Sequence, residues 1–156
     1  MAYRGRQMLK LLFIGDGEVG KTCLVDQFAR QEFSNIYKST VGADFSSRQL
    51  DIDGQIITLQ MWDTAGQDGF QASQPLVYRG TDCCILVYDV TKAQTFQNIT
   101  KWLTNFSNNL ALTKPDEFPF LLLGNKSDLP DRDVQESTAR EYASKHKMLF
   151  YEVSAK

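Results

Sequence analysis

Three groups of polar residues carry chemistry in their spacing. Gly15-Asp16-Gly17-Glu18-Val19-Gly20-Lys21-Thr22 fits G-x-x-x-x-G-K-[ST]. In that pattern glycines let the backbone wrap a phosphate while N–H groups at the start of the next helix point inward. Lys21 is placed to neutralise β and γ phosphate oxygens, and the Thr22 hydroxyl to ligate Mg2+, a hard cation that prefers oxygen. Cys23, next in line, is counted with this nucleotide-binding loop. By itself the motif leaves ATPases, nucleotide kinases and GTPases open.

Asn125-Lys126-Ser127-Asp128 narrows the choice. The Asp128 carboxylate can accept two hydrogen bonds from the N1–H and exocyclic amine of guanine, a donor pair that adenine lacks. The wrong base would leave that carboxylate unpaired, which discriminates strongly. In Asp63-Thr64-Ala65-Gly66-Gln67, Asp63 can hold the water shell of Mg2+ and Gly66 leaves space for its N–H to meet a γ-phosphate. Gln67 can orient a water for in-line attack. Thr40, in Ser39-Thr40-Val41-Gly42, can add a second hydroxyl to the metal when triphosphate is present.

These groups need elements to hold them. Leu9 to Ile14 is a short apolar run stopped at Gly15, and Lys21 through Arg30 sets Leu24, Val25 and Phe28 on one side, so strand, loop, helix is expected. Ala43 to Leu50 and Gln55 to Asp63 flank Asp53-Gly54 and predict an antiparallel hairpin. Asp82 to Asp89 reads as a strand buried on both sides, followed by a helix with Phe96, Ile99, Trp102, Leu103, Phe106 and Leu110 at steps of three and four. Phe118 to Gly124, a helix near Val134 to Lys145 and a strand at Met148 to Val153 complete the alternation. The expected architecture is α/β: a mostly parallel six-stranded sheet, one antiparallel edge strand, and helices on both faces. Right-handed crossovers put the loops after the strands along one sheet edge, and all three groups follow strands.

The 156 residues suit one domain over 1–156. With 17 basic and 19 acidic residues, 42% hydrophobic and 23% charged, the composition excludes collagen-like and disordered chains. A net charge of −2 gives no general attraction to nucleic acid or an anionic membrane, and no nucleic-acid partner is expected. Apolar runs of about six residues are far short of the roughly 20 needed to span a bilayer. The N-terminal run breaks into Gly-Asp-Gly without a cleavage site, so no secretion signal is expected. Cys23, Cys83 and Cys84 make no disulfide framework and are expected reduced and buried. His146, the one histidine, is expected at the surface.

Taken in order, these pieces resemble the small GTPases of the Ras superfamily. Val41-Gly42-Ala43-Asp44-Phe45, Leu59-Gln60-Met61-Trp62, Tyr78-Arg79-Gly80 and Leu86-Val87-Tyr88-Asp89-Val90-Thr91 are similar to segments of its Rab branch. Tyr37 through Phe45, Asp82-Cys83-Cys84 and Phe118-Pro119-Phe120 resemble the late-endosomal and lysosomal subgroup. The likeness runs from about Leu9 to Lys156 and implies the P-loop NTPase fold of small G proteins. It also implies that Phe33 packs against guanine and that Tyr37 closes over the phosphates. Ser154-Ala155-Lys156 would meet the guanine oxygen through backbone N–H, while Phe45, Trp62 and Tyr78 would form an effector surface sensitive to nucleotide state.

The implied function is a switch of vesicular membrane traffic that binds and hydrolyses GTP, with Mg2+ as cofactor and Gln67, Lys21 and Gly66 as catalytic residues. No internal arginine finger is marked, so hydrolysis is expected to be slow alone and accelerated about 10³ to 10⁵ by a partner. Loops around Thr40 and Gln67, ordered by the γ-phosphate and released on its loss, would make the switch. The resemblance implies an exchange factor, a GTPase-activating protein, a GDP-dissociation inhibitor and effectors as partners. It further implies a monomer that is cytoplasmic or on the cytosolic face of endosomal and lysosomal membranes. Membrane attachment is expected only through a prenylated tail, since the family continues past the position of Lys156 into a last helix and terminal cysteines.

Asp68-Gly69-Phe70 stands where Rab proteins usually have Glu-Arg-Phe, so a looser second switch with altered partner contacts is expected. Val153 replaces a common threonine. The Asp68-Gly69 change keeps an alternative open, a scaffold that binds GTP but hardly turns it over, against which Gln67 argues. A nucleotide kinase would need a lid segment rich in arginine, and none is evident.

Overall fold

The computed structural model describes residues 7–30, 43–66 and 74–156. Six strands, β1 (Gln7–Ile14), β2 (Ala43–Ile52), β3 (Gln55–Thr64), β4 (Cys83–Asp89), β5 (Phe120–Asn125) and β6 (Leu149–Glu152), form one sheet in the order β2-β3-β1-β4-β5-β6. Only the β2–β3 pair, joined through Asp53-Gly54, is antiparallel; every other pairing is parallel. Both residues of that turn have positive φ, 53° and 80°, which is why Asp-Gly suits it. The expected sheet, its antiparallel edge strand included, is the one observed.

The helices are α1 (Lys21–Arg30), α2 (Gln74–Tyr78), α3 (Ala93–Gln97), α4 (Ile99–Asn109) and α5 (Glu136–Lys145), with a 3-10 turn at Pro115–Glu117. Two apolar layers result from the period-2 alternation of strand side chains. Leu12, Ile14, Leu86, Tyr88 and Leu122 face α2 to α5, whereas Phe13, Met61, Ile85, Val87 and Leu123 face α1. Helices therefore lie on both faces.

Several boundaries differ from the sequence reading, most by one or two residues, and three of them have a local cause. The long helix expected from Phe96 to Leu110 is broken at Asn98, which closes α3 and opens α4. Its apolar spacing is the same on either side of the break, so periodicity alone does not reveal it. Val134 stays outside α5 because its N–H bonds the carbonyl of Val90. The β5 strand starts at Phe120, two residues late, since Pro119 lacks an N–H for the ladder.

All three cysteines are free, but only Cys84 is buried, while Cys23 and Cys83 are half-buried. His146 is likewise half-buried, with its ring 4.4 Å from that of Tyr142. No helix among the described residues is long and apolar enough to cross a membrane.

Candidate nucleotide site

The loops after β1, β3 and β5 lie together at one sheet edge, and specific contacts join them. Lys21, buried at the start of α1, turns its ammonium back into the loop. There it donates to the carbonyls of Gly15 at 2.9 Å and Asp16 at 2.7 Å. Burial lowers its pKa to about 8, against the pull of Asp63 and Asp16. A cation held by neutral carbonyls near its titration point is poised to exchange them for anionic oxygens.

Thr22, one residue further along α1, donates its hydroxyl to Asp63 at the end of β3. One hydroxyl and one carboxylate oxygen so joined are the hard-oxygen donors that Mg2+ takes beside water and phosphate, so these residues fit the metal. The neighbouring Thr64 hydroxyl ties β3 to β1 through the Phe13 carbonyl at 2.7 Å. Gly66 comes so close to the phosphate loop that a Cβ would stand 2.3 Å from the Asp16 carbonyl carbon and the Gly17 nitrogen. Only glycine fits this approach.

The β5 loop is fastened to the phosphate loop at two points. The buried Asn125 amide donates to the Val19 carbonyl at 2.8 Å and lies where a Cβ on Gly20, at φ 95°, would meet it at 2.3 Å. Lys126 donates to the Glu18 carbonyl at 2.8 Å and pairs with the buried Asp89 carboxylate at 2.9 Å. Asp89 also accepts from the Thr91 N–H and hydroxyl. Although burial pushes its carboxyl upward, the Thr91 and Lys126 hydrogen bonds outweigh it and hold the pKa below the usual value. Asp128 itself is exposed and accepts from the Ser154 hydroxyl at 2.7 Å, while Ser154 also receives the Lys156 N–H. Ala155 between them is buried.

Lys21, Thr22, Asp63, Gly66, Asn125, Lys126, Asp128 and Ser154 are thus brought to one edge. Cys23 sits behind the loop, its thiol pushed up mainly by burial. Phe33, Tyr37, Thr40 and Gln67, together with Asp68 and Gly69, lie outside the described residues. Phe45 and Trp62 face each other across the β2–β3 pair with ring centroids 5.3 Å apart, and Phe45 is 45% exposed. Tyr78 differs: it is fully buried against Phe106, so it offers no surface in this structure. Asp89 and Thr91 were missed by sequence reasoning, although their place at the end of β4 and just beyond it, on the ligand edge, marks them. Nothing local marks Asn98 or Trp102, both of which reach Asp16.

A parallel sheet with its first strand central, a phosphate loop after that strand and a base loop after β5 define a P-loop NTPase of the small G-protein type. The Ras family model matches residues 10–156. The chain is 44% identical to "Ras-related protein Rab7" of Drosophila melanogaster, covering 100% of this chain and 76% of that protein. It is 46% identical to "Ras-related protein RABG3d" of Arabidopsis thaliana and 44% to "Ras-related protein Rab-7a" of Dictyostelium discoideum, each over 100% of this chain and 78% of the relative. The chain belongs to the Ras family, in its Rab branch. It is a GTPase and a molecular switch in vesicular traffic of the late endosome and lysosome.

Proposed function

We propose that the described loops bind guanine nucleotide and work the switch residue by residue. The observation that carries this reading is the position of Lys21, whose ammonium is turned into the phosphate loop between two neutral carbonyls. Lys21 neutralises phosphate oxygens, and backbone N–H groups from Asp16 through Cys23 surround them. Thr22 and Asp63, joined by Thr40 in the triphosphate state, hold Mg2+, which when bound supplies charge neutralisation at the phosphates. Gly66 presents its N–H to the γ-phosphate, and Gln67 orients the attacking water. Asp128, steadied by Ser154, reads the guanine N1–H and amine. Asn125 and Lys126 hold the base loop against the phosphate loop, Ala155 and Lys156 direct N–H groups to the base oxygen, and Phe33 stacks on the ring.

Exchange and activating factors, a GDP-dissociation inhibitor and effectors act on the loops around Thr40 and Gln67. Phe45 and Trp62 contribute effector surface, with Tyr78 supporting it from within. Association with endosomal and lysosomal membranes uses a lipidated tail, as the Rab likeness implies.

The test is a single turnover of GTP loaded with Mg2+, followed to GDP. Slow conversion in the wild type, slowed further in Gln67→Leu, is the expected result. GTP that persists without GDP forming overturns the proposed role of Gln67 in this chain.

A further inference from the structure

Asp16 enters the phosphate loop through its backbone, and its side chain points elsewhere. One carboxylate oxygen accepts from Trp102 Nε1 at 2.8 Å, the other from Asn98 Nδ2 at 2.7 Å, donors 86 and 82 positions downstream. Both donors belong to the junction at which α3 gives way to α4. The Asn98 amide is oriented from both ends, because its oxygen receives Gln94 Nε2 at 3.1 Å while its nitrogen serves Asp16. Trp102, 8% exposed, is packed into the larger apolar cluster, which fixes the indole.

The main chain of the same residue is what the phosphate loop turns on. Its carbonyl holds Lys21 Nζ at 2.7 Å, and its peptide with Gly17 is the surface against which Gly66 packs. We propose that Trp102 and Asn98 are positioning residues of the GTPase site, acting through Asp16. By holding the carboxylate they fix the Asp16–Gly17 peptide on which both Lys21 and Gly66 are set. Two neutral donors satisfy the carboxylate without adding a cation that would draw phosphate out of register. This rests on the reading that the loop holds nucleotide phosphates.

The experiment follows release of a fluorescent GDP from the full chain with Mg2+, comparing wild type, Trp102→Phe, Asn98→Ala, Asp16→Ala and the Asp16→Ala/Trp102→Phe double variant. Loss of one hydrogen bond to a charged group predicts release about tenfold faster in Trp102→Phe, with a smaller rise of the same sign in Asn98→Ala. The double variant should release no faster than Asp16→Ala alone. Wild-type release in both single variants, or a Trp102→Phe effect that multiplies fully onto Asp16→Ala, overturns the proposal and leaves Trp102 a packing residue. Uptake of no guanine nucleotide by the wild type overturns the underlying reading instead. Should Trp102→Phe fail to fold, Asn98→Ala on the half-buried junction decides by itself.

Discussion

The side-chain amide of Asn125 donates to the backbone carbonyl of Val19 across 2.8 Å, joining two loops 106 positions apart. The loops proposed to read the base and to hold the phosphates therefore share one buried hydrogen bond. Asn125→Ala leaves the Val19 carbonyl without its donor, at a cost of about 1–3 kcal/mol. GDP affinity should fall about ten- to a hundredfold, read by equilibrium binding. Unchanged affinity would show that the two loops hold their places independently.

Lys21 gives the protein a specific pH response. Its pKa is about 8 in the fold against 10.5 in the free side chain, so between those values the unfolded chain binds more protons. The stability that Lys21 contributes to the nucleotide-free protein therefore rises with pH across about 8 to 10.5, its penalty being fully present below 8. Phosphate binding should respond in the opposite sense, because it needs the ammonium charged: GDP affinity falls as pH climbs above about 8. Urea unfolding and GDP titration of wild type and Lys21→Met over this range check both signs, and the variant should flatten both.

Ser154 steadies Asp128 with one hydrogen bond. Ser154→Ala should weaken GDP binding about two- to fivefold, the worth of a partly exposed bond of about 0.5–1 kcal/mol. The loss should be greater for GDP than for inosine diphosphate, whose base lacks the amine. Equal losses for the two nucleotides would remove Asp128 from base reading.

Tyr78 offers a test of stability alone. Its hydroxyl is buried beside Phe106 and finds no hydrogen-bond partner among the described residues, and burial pushes its pKa far above the usual tyrosine value. Removing an unsatisfied hydroxyl should be neutral or stabilising by up to about 1 kcal/mol in Tyr78→Phe, measured by denaturant midpoint at constant slope. A loss of more than that would show that the hydroxyl has a partner.

Most of the sheet was legible because apolar runs ending at Gly15, Asp89 and Gly124 mark parallel strands, and Asp53-Gly54 marks the one hairpin. The meeting of Lys21, Thr22, Asp63 and Asn125 on one sheet edge was legible because their motifs follow strands at fixed spacing. The Asp16 contacts were not: Trp102 and Asn98 look like core and surface residues of one amphipathic helix, and nothing in their spacing ties them to a residue 86 and 82 positions upstream. Likewise Lys10 lies within a strand, yet its ammonium sits 4.6 Å over the Trp62 ring and donates to the carbonyls of Val77 and Arg79. No local pattern predicts a cation stacked on an indole across neighbouring strands.

The strand order has a consequence for how the molecule is made. The first strand lies between β3 and β4, so as the chain leaves the ribosome β1 can pair on one side once β3 is complete. Its other side stays open until Leu86 has emerged. Register there is clasped by Asp82, whose N–H bonds the Lys10 carbonyl while its carboxylate receives the Lys10 N–H across 72 positions. Contacts of such long sequence separation slow folding, and an open hydrophobic strand edge is where nascent chains associate wrongly. The loop proposed to hold phosphate thus hangs from a strand whose second edge is covered only once residues as far along as Leu86 have been synthesised.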